Sequence, residues 1–209
     1  MIVVSDFDGT LTIEDVTTLF WDTHLRYDWR RDLLPQTYAG AMSPLEMIAR
    51  GYRDVAQPEA ALLAQARAHT RLRPGLMALA ELCRARGWPF VVLSHGLRFY
   101  IEALLPPGLP IVSFVGTFGS VDGRGWEVSL PPGLVLPPGE DFKRHVVAGL
   151  RAEHPGQPVI YLGDGRLDLP AAESCERVFA VRDSKLANLC PRAMPFDTLD
   201  EVVAALELR

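Results

Sequence analysis

The chain has 209 residues, 48% apolar and 22% charged, which suits one full hydrophobic core plus a modest insertion and is too short for two independent catalytic domains. Lys+Arg 21 against Asp+Glu 26 leaves a net charge of −5 with no long basic run, so nucleic acid is not an expected partner. No stretch approaches the roughly 18 apolar residues of a membrane span, and the start of the chain lacks a cationic leader, so a cytoplasmic protein with no membrane partner is expected.

In chain order, Ile2-Val3-Val4 is a short apolar run ending in Ser5-Asp6, and it reads as a buried strand with a polar loop at its carboxyl end. From Glu14 to Leu72 the pattern is helical, with Val16, Leu19 and Phe20, then Leu45, Ile48 and Tyr52, then Leu62, Leu63 and Ala66 on recurring faces. No convincing strand interrupts it, so residues 14–73 are expected to form a helical insertion. Arg73-Pro74-Gly75 is the expected return hinge, because Pro disfavours helix in the residue before it and Gly frees the next. Gly75 to Arg86 is a second helical pattern, and Phe90-Val91-Val92-Leu93 a second buried strand, ending in Ser94-His95-Gly96.

Between Ile111 and Leu136, the run Gly119-Ser120-Val121-Asp122-Gly123 is turn chemistry between β-prone segments, which predicts a small β-hairpin insertion. A helix is expected from Phe142 to Arg151. Val159-Ile160-Tyr161-Leu162 then forms a third buried strand, followed by Gly163-Asp164-Gly165. Val178 to Val181 and Leu199 to Leu208 supply one more strand and a closing helix. Strands that alternate with helices specify an α/β fold: a Rossmann-like parallel sheet flanked by helices, with 1–13 and 74–209 as its core. Ligands in such sheets bind outside the carboxyl ends of the strands, where every polar cluster above falls.

Asp6 and Asp8 flank Phe7 at the first strand end, and Asp164 and Asp168 follow the third. Carboxylates this close repel when ionised unless they share a proton or a hard cation. Taken singly, Asp8-Gly9 and Gly163-Asp164-Gly165 are also turn signals, Ser94 a helix N-cap and Lys143 a surface lysine. The lysine carries extra weight, because Lys143 and Lys185 are the only lysines in an arginine-rich chain. Cys83, Cys175 and Cys190 are widely spaced and odd in number, which suits reduced thiols in or near the core.

Together, Asp-Phe-Asp-Gly-Thr-Leu-Thr after strand one, Ser94 after a second strand, Lys143 at a helix start and Gly-Asp-Gly-Arg-Leu-Asp after a third resemble the four motifs of the haloacid dehalogenase-like phosphatase superfamily. The resemblance implies that Asp6 is the nucleophile, forming an aspartyl-phosphate, and that Asp8 is the acid and base. It implies Mg²⁺ held by Asp6, the Asp8 backbone carbonyl and Asp164, with Asp168 supporting the metal waters or Lys143. Ser94, Gly96 and Lys143 would bind phosphate oxygens. His95 either joins them or packs on the cap, the role in which the family uses the helical insertion. An acid at Asp8 favours phosphoryl over halide chemistry, since a halide leaves without a proton.

The insertion position, Ser94-His95-Gly96 and the Gly163 to Leu169 run resemble the phosphoserine phosphatase-like branch. Asp15 stands where phosphoserine phosphatases carry a Glu that meets the substrate's amino group. Asp15, Leu97-Arg98-Phe99 and the tail from Ala171 to Cys190 look more like the methionine-salvage 2-hydroxy-3-keto-5-methylthiopentenyl-1-phosphate phosphatases. The expected partner is thus a small phosphorylated metabolite, through hydrolysis or transfer to an acceptor alcohol. A homodimer is compatible with the sequence. Phe20, Trp21, His24 and Trp29 lie near the expected opening, with helix core the plainer reading for Phe20 and Trp21, and a solvated helix face for Arg50 and Arg53.

Overall fold

The computed structural model describes residues 1–119 and 125–208. In chain order the elements are β1 (Ile2–Ser5), α1 (Val16–His24), α2 (Trp29–Asp32), α3 (Leu34–Tyr38), α4 (Pro44–Arg53), α5 (Glu59–His69), α6 (Leu76–Arg86), β2 (Phe90–Leu97) and α7 (Arg98–Leu104). There follow β3 (Ile111–Phe118), β4 (Trp126–Ser129), α8 (Phe142–Glu153), β5 (Val159–Gly163), α9 (Leu169–Glu173), β6 (Arg177–Val181), α10 (Lys185–Leu189), β7 (Met194–Phe196) and α11 (Leu199–Glu207).

One seven-stranded sheet runs in the order β4-β3-β2-β1-β5-β6-β7, parallel throughout except for β4. Strand β1 pairs with β2 on one side and β5 on the other, so the chain order reverses at β1 and opens a crevice above its carboxyl end. Every residue of β1, β2 and β5 is buried, as expected of strands covered on both faces.

Two differences from the sequence reading matter for the site. Strand β2 does not stop at Leu93: Ser94 to Leu97 continue it alongside β3, with a register shift between Ser94 and Leu97. Ser94 is therefore held by pairing with Ser113, and His95 and Gly96 form an irregularity between the paired Ser94 and Leu97 rather than a free loop. Strand β7 has three residues, one of them Pro195, too short a run to carry a strand signal of its own.

The hairpin forms from β3 and β4, while Ser120, Val121, Asp122 and Gly123 of its expected turn lie outside the described residues. Helices α1 to α5 make up the insertion between β1 and α6. Its two connecting segments meet at a Thr12–Leu72 bridge, reinforced by Ile13 N–H to Arg71 O at 2.9 Å and Arg73 N–H to Leu11 O at 2.7 Å. Gly75 caps α6 with φ 90°, the left-handed turn that the Pro74-Gly75 pair anticipated. The insertion rests on the hairpin through aromatic packing: Tyr52 of α4 lies edge-on to Trp126 of β4, whose indole N–H donates to Gln57 O at 3.1 Å. Among the described residues no helix is long and apolar enough to cross a membrane, and all three cysteines are buried and free.

Candidate active site

Asp6 extends β1 by one hydrogen bond, its N–H donating to Leu162 O at 2.9 Å, and the chain then turns sharply. The N–H groups of Thr10, Leu11 and Thr12 all point at Phe7 O. Gly9 makes this turn with φ 77°, and a Cβ there would stand 2.7 Å from Asp164 Oδ2. Glycine thus lets the β1 and β5 loops close on each other. Arg73 locks the turn from behind, donating to the carbonyl oxygens of Thr10 at 2.7 Å and Gly9 at 2.7 Å.

Lys143 lies in the first turn of α8, whose N-cap is Asp141, and is 2% exposed. Its ammonium donates to Asp6 Oδ1 and to Asp168 Oδ1, each at 2.6 Å. Burial opposes the Lys143 charge, but the carboxylates of Asp168 and Asp6 outweigh it and hold the pKa above the ordinary lysine value. Asp168 has no capacity to spare. Oδ1 also accepts from Tyr161 at 2.7 Å, and Oδ2 accepts the N–H groups of Asp164 and Gly165 at 3.1 and 2.8 Å. It therefore fixes both Lys143 and the loop that carries Asp164.

Burial pushes the Asp6 carboxyl from 3.8 up to about 7, against the pull of Lys143. Asp164 is also pushed well above the usual range by burial and by the neighbouring Asp6 and Asp168, and its described hydrogen-bond donor is the Thr10 hydroxyl at 3.0 Å. One oxygen from each of Asp6, Asp164 and Asp168 lies within 4.8 Å of the others. An all-carboxylate pocket short of positive charge suits a hard divalent cation, so the residues fit such an ion. Because Asp168 is saturated, Asp6 and Asp164 are the side chains with oxygens left to give.

On the opposite side of the crevice, Asp8 Oδ2 accepts from Tyr100 at 2.6 Å and Oδ1 from Val16 N–H at 3.0 Å. Burial, and then Asp15, raise the Asp8 carboxyl well above its ordinary value. Ser94 is 1% exposed, and its Oγ accepts Gly96 N–H at 3.0 Å, which leaves its own proton for a ligand and commits the Gly96 N–H. His95 lines the cavity with its ring between Phe114 of β3 and Phe142 of α8, so its packing is on the sheet core rather than on the insertion. Asp15 caps α1 by accepting Thr18 N–H at 2.7 Å and also borders the cavity.

The cavity has a volume of about 380 Å³ and collects Asp6, Asp8, Asp15, Ser94, His95, Gly96, Lys143, Asp164 and Asp168, all the residues the motifs single out. The insertion contributes Trp21, Trp29, Leu34, Met47 and Ile48 as an apolar wall. Trp21 is both core and wall, 1% exposed and edge-on to Trp29, whereas Phe20 is wholly core. Arg30 also borders the cavity, but its guanidinium is held by both oxygens of Asp22. Arg50 and Arg53 are exposed elsewhere on the insertion, and His24 is turned to Gln65 at 2.9 Å. The sequence reading missed Arg73, Tyr100 and Tyr161. The one available signal was a tyrosine within a buried apolar run, where phenylalanine would pack as well.

Residues 3–173 match the family model described as haloacid dehalogenase-like hydrolase. The polyol phosphate phosphatase of Saccharomyces cerevisiae is 24% identical, covering 99% of this chain and 92% of its own length. A 2-hydroxy-3-keto-5-methylthiopentenyl-1-phosphate phosphatase of Microcystis aeruginosa is 27% identical over 100% of this chain and 98% of its own. Among solved structures, a substrate-bound phosphoserine phosphatase superposes with a TM-score of 0.73 at 14% identity, covering 98% of this chain and 97% of that one. With the motif order, the sheet and the match over residues 3–173 in agreement, the chain belongs to the haloacid dehalogenase-like hydrolase family.

Proposed function

We propose that this hydrolase is a phosphatase that removes the phosphoryl group of a small phosphorylated metabolite through an aspartyl-phosphate on Asp6. The observation that carries this reading is the buried Lys143 ammonium bridging Asp6 and Asp168 at 2.6 Å on the floor of the same cavity that Asp8 borders. An Asp6 oxygen bonds to phosphorus as the bond to the leaving oxygen breaks, and Asp8 gives that oxygen a proton. Asp8 then takes a proton from water as the water oxygen bonds to phosphorus and the bond to Asp6 breaks. Lys143 and the Ser94 hydroxyl offset charge on the transferred group. Asp6, the Asp8 backbone carbonyl and Asp164 would hold Mg²⁺, which when bound lets an anionic phosphate approach an anionic Asp6. The insertion, residues 14–73, acts as a cap that keeps bulk water and large substrates out.

For the substrate, the apolar wall of Trp21, Trp29, Leu34, Met47 and Ile48 supports a thioether-tailed compound such as the methionine-salvage 2-hydroxy-3-keto-5-methylthiopentenyl-1-phosphate. Asp15 on the cavity rim favours a second reading, phosphoserine, whose amino group it would meet. The test is phosphate release from the enol phosphate, phosphoserine and a polyol phosphate, with Mg²⁺ and with EDTA. Mg²⁺-dependent release highest on the enol phosphate is expected. A maximum on phosphoserine selects the second reading, and no release from any of the three overturns hydrolysis in favour of transfer to an acceptor alcohol.

The raised carboxyls also predict how the metal affects stability. A carboxyl whose pKa is higher in the fold keeps its proton more tightly there. Its stabilisation is therefore full below about pH 4 and is lost as the pH rises through the folded value of about 7 for Asp6. Mg²⁺ is expected to raise the thermal midpoint more at pH 7 than at pH 5. Equal shifts at the two pH values, relative to EDTA, would contradict this.

A further inference from the structure

Behind Asp8 runs a chain of three hydroxyls that the proposed reaction does not use, two on fully buried tyrosines and one on Thr17, which is half-buried and borders the cavity. Tyr100 of α7 donates to Asp8 Oδ2 at 2.6 Å, Thr17 Oγ1 of α1 lies 3.0 Å from the Tyr100 oxygen, and the Tyr52 oxygen of α4 lies 3.3 Å from Thr17. Tyr52 and Tyr100 are both 0% exposed, and neither borders the cavity. With Tyr100 donating to Asp8 Oδ2, the Thr17 hydroxyl has two acceptors, the Tyr100 oxygen at 3.0 Å and Asp8 Oδ2 itself at 3.5 Å, so Thr17 and Tyr100 both direct protons toward the same carboxyl oxygen and each donor polarises the next. Phenylalanine would fill either tyrosine site with the same burial, so the hydroxyls are there for the polar chain and not for packing.

The backbone makes room for it. A Cβ at Gly96 would fall 1.8 Å from the Tyr100 oxygen and 2.9 Å from Asp8 Oδ2, so the glycine of Ser94-His95-Gly96 permits the Tyr100–Asp8 contact. The other Asp8 oxygen is held by Val16 N–H at 3.0 Å, where the insertion begins. Both oxygens of the carboxyl are thus oriented, one through the core helix α7 and one by the first residue of α1. Two of the three hydroxyls belong to the insertion.

We propose that Tyr100, braced by Thr17 and Tyr52 of the insertion, is a positioning residue that holds the Asp8 carboxyl in the rotamer from which it protonates the leaving oxygen. Tyr100 does not touch the substrate, so its removal leaves binding intact and loosens the acid. The inference rests on the role of Asp8 proposed above. It also ties that role to the placement of the insertion, because Thr17 and Tyr52 reach Asp8 only with α1 and α4 seated where they are.

The test compares two leaving groups. p-Nitrophenolate leaves without protonation, whereas an alkoxide needs a proton. The readout is kcat/KM, which reports steps up to the aspartyl-phosphate and so excludes the later hydrolysis, in which Asp8 acts as base. For Tyr100→Phe, kcat/KM on the best alkyl phosphate of the panel should fall about tenfold or more, and that on p-nitrophenyl phosphate by less than about twofold. Tyr52→Phe, which leaves Tyr100 and the cavity lining in place, should show the same selectivity to a smaller degree and guards against misfolding of the first variant. An equal loss on both esters, or no loss on the alkyl ester, overturns the proposal while leaving the phosphatase reading intact. Wild-type protein that releases phosphate from neither ester overturns the phosphatase reading, and this proposal with it.

Discussion

Asp6→Asn is expected to give a folded protein with no measurable phosphate release. An amide cannot form the carboxyl–phosphate bond through which the proposed reaction passes, so the covalent route is lost rather than slowed. The expected loss exceeds about 10³-fold, or roughly 4 kcal/mol of transition-state stabilisation. The fold should survive for reasons visible around the residue. Asn is nearly isosteric, its oxygen can still accept from Lys143, and Lys143 keeps Asp168 as a counter-ion at 2.6 Å. Removing a carboxyl that burial already disfavours in its charged form relieves repulsion toward Asp164. Circular dichroism and a thermal melt should match the wild type, while phosphate release falls to background. Appreciable residual release from the variant would exclude Asp6 as the nucleophile.

Lys143→Ala is expected to damage both chemistry and stability. In the fold, one ammonium is the shared counter-ion of two carboxyls that are 6% and 1% exposed, and its removal leaves both buried without a cation. Breaking a buried ion pair by deleting one partner costs about 3–5 kcal/mol. The thermal midpoint should therefore drop markedly, and by more than in Asp6→Asn, which removes a charge instead of stranding two. The rate on the folded fraction should also fall by about 10²-fold or more, because Lys143 offsets charge on both Asp6 and the transferred group. A rate loss below about tenfold, roughly 1.4 kcal/mol, would remove Lys143 from the machinery and leave it a purely structural ion. Lys143→Arg sharpens the distinction. The charge is kept, but a planar guanidinium cannot sit as a compact ion between Asp6 Oδ1 and Asp168 Oδ1, so much of the activity should still be missing.

How much of this was readable beforehand depended on the range of the interaction concerned. Strands β1, β2 and β5 announced themselves because burial on both faces demands nearly continuous apolar runs, and the hairpin because turn residues separate two β-prone segments. Asp6, Asp8, Ser94, Lys143, Asp164 and Asp168 could be singled out because their order along the chain resembles the motifs of the family, and the structure brings all six to one cavity. Strand β7 escaped because three residues including a proline carry too little pattern. The extension of β2 through Leu97 escaped because polar Ser94, and Leu97 beyond the irregularity, pair with β3 only once β3 is beside them.

The order of the elements follows from local periodicity, and the family from motifs a few residues long, so both could be read along the chain. Which oxygen faces which donor depends instead on contacts between distant parts of the chain. Tyr100 meets Asp8 across 92 residues of chain, Lys143 meets Asp6 across 137, and Thr10 meets Asp164 across 154. The apolar wall that the insertion lends to the cavity is of the same kind, with Trp21 and Trp29 on separate helices turned inward together. Such pairings are fixed by how the sheet and the insertion pack, and packing is a property of the whole chain that no short window of sequence contains.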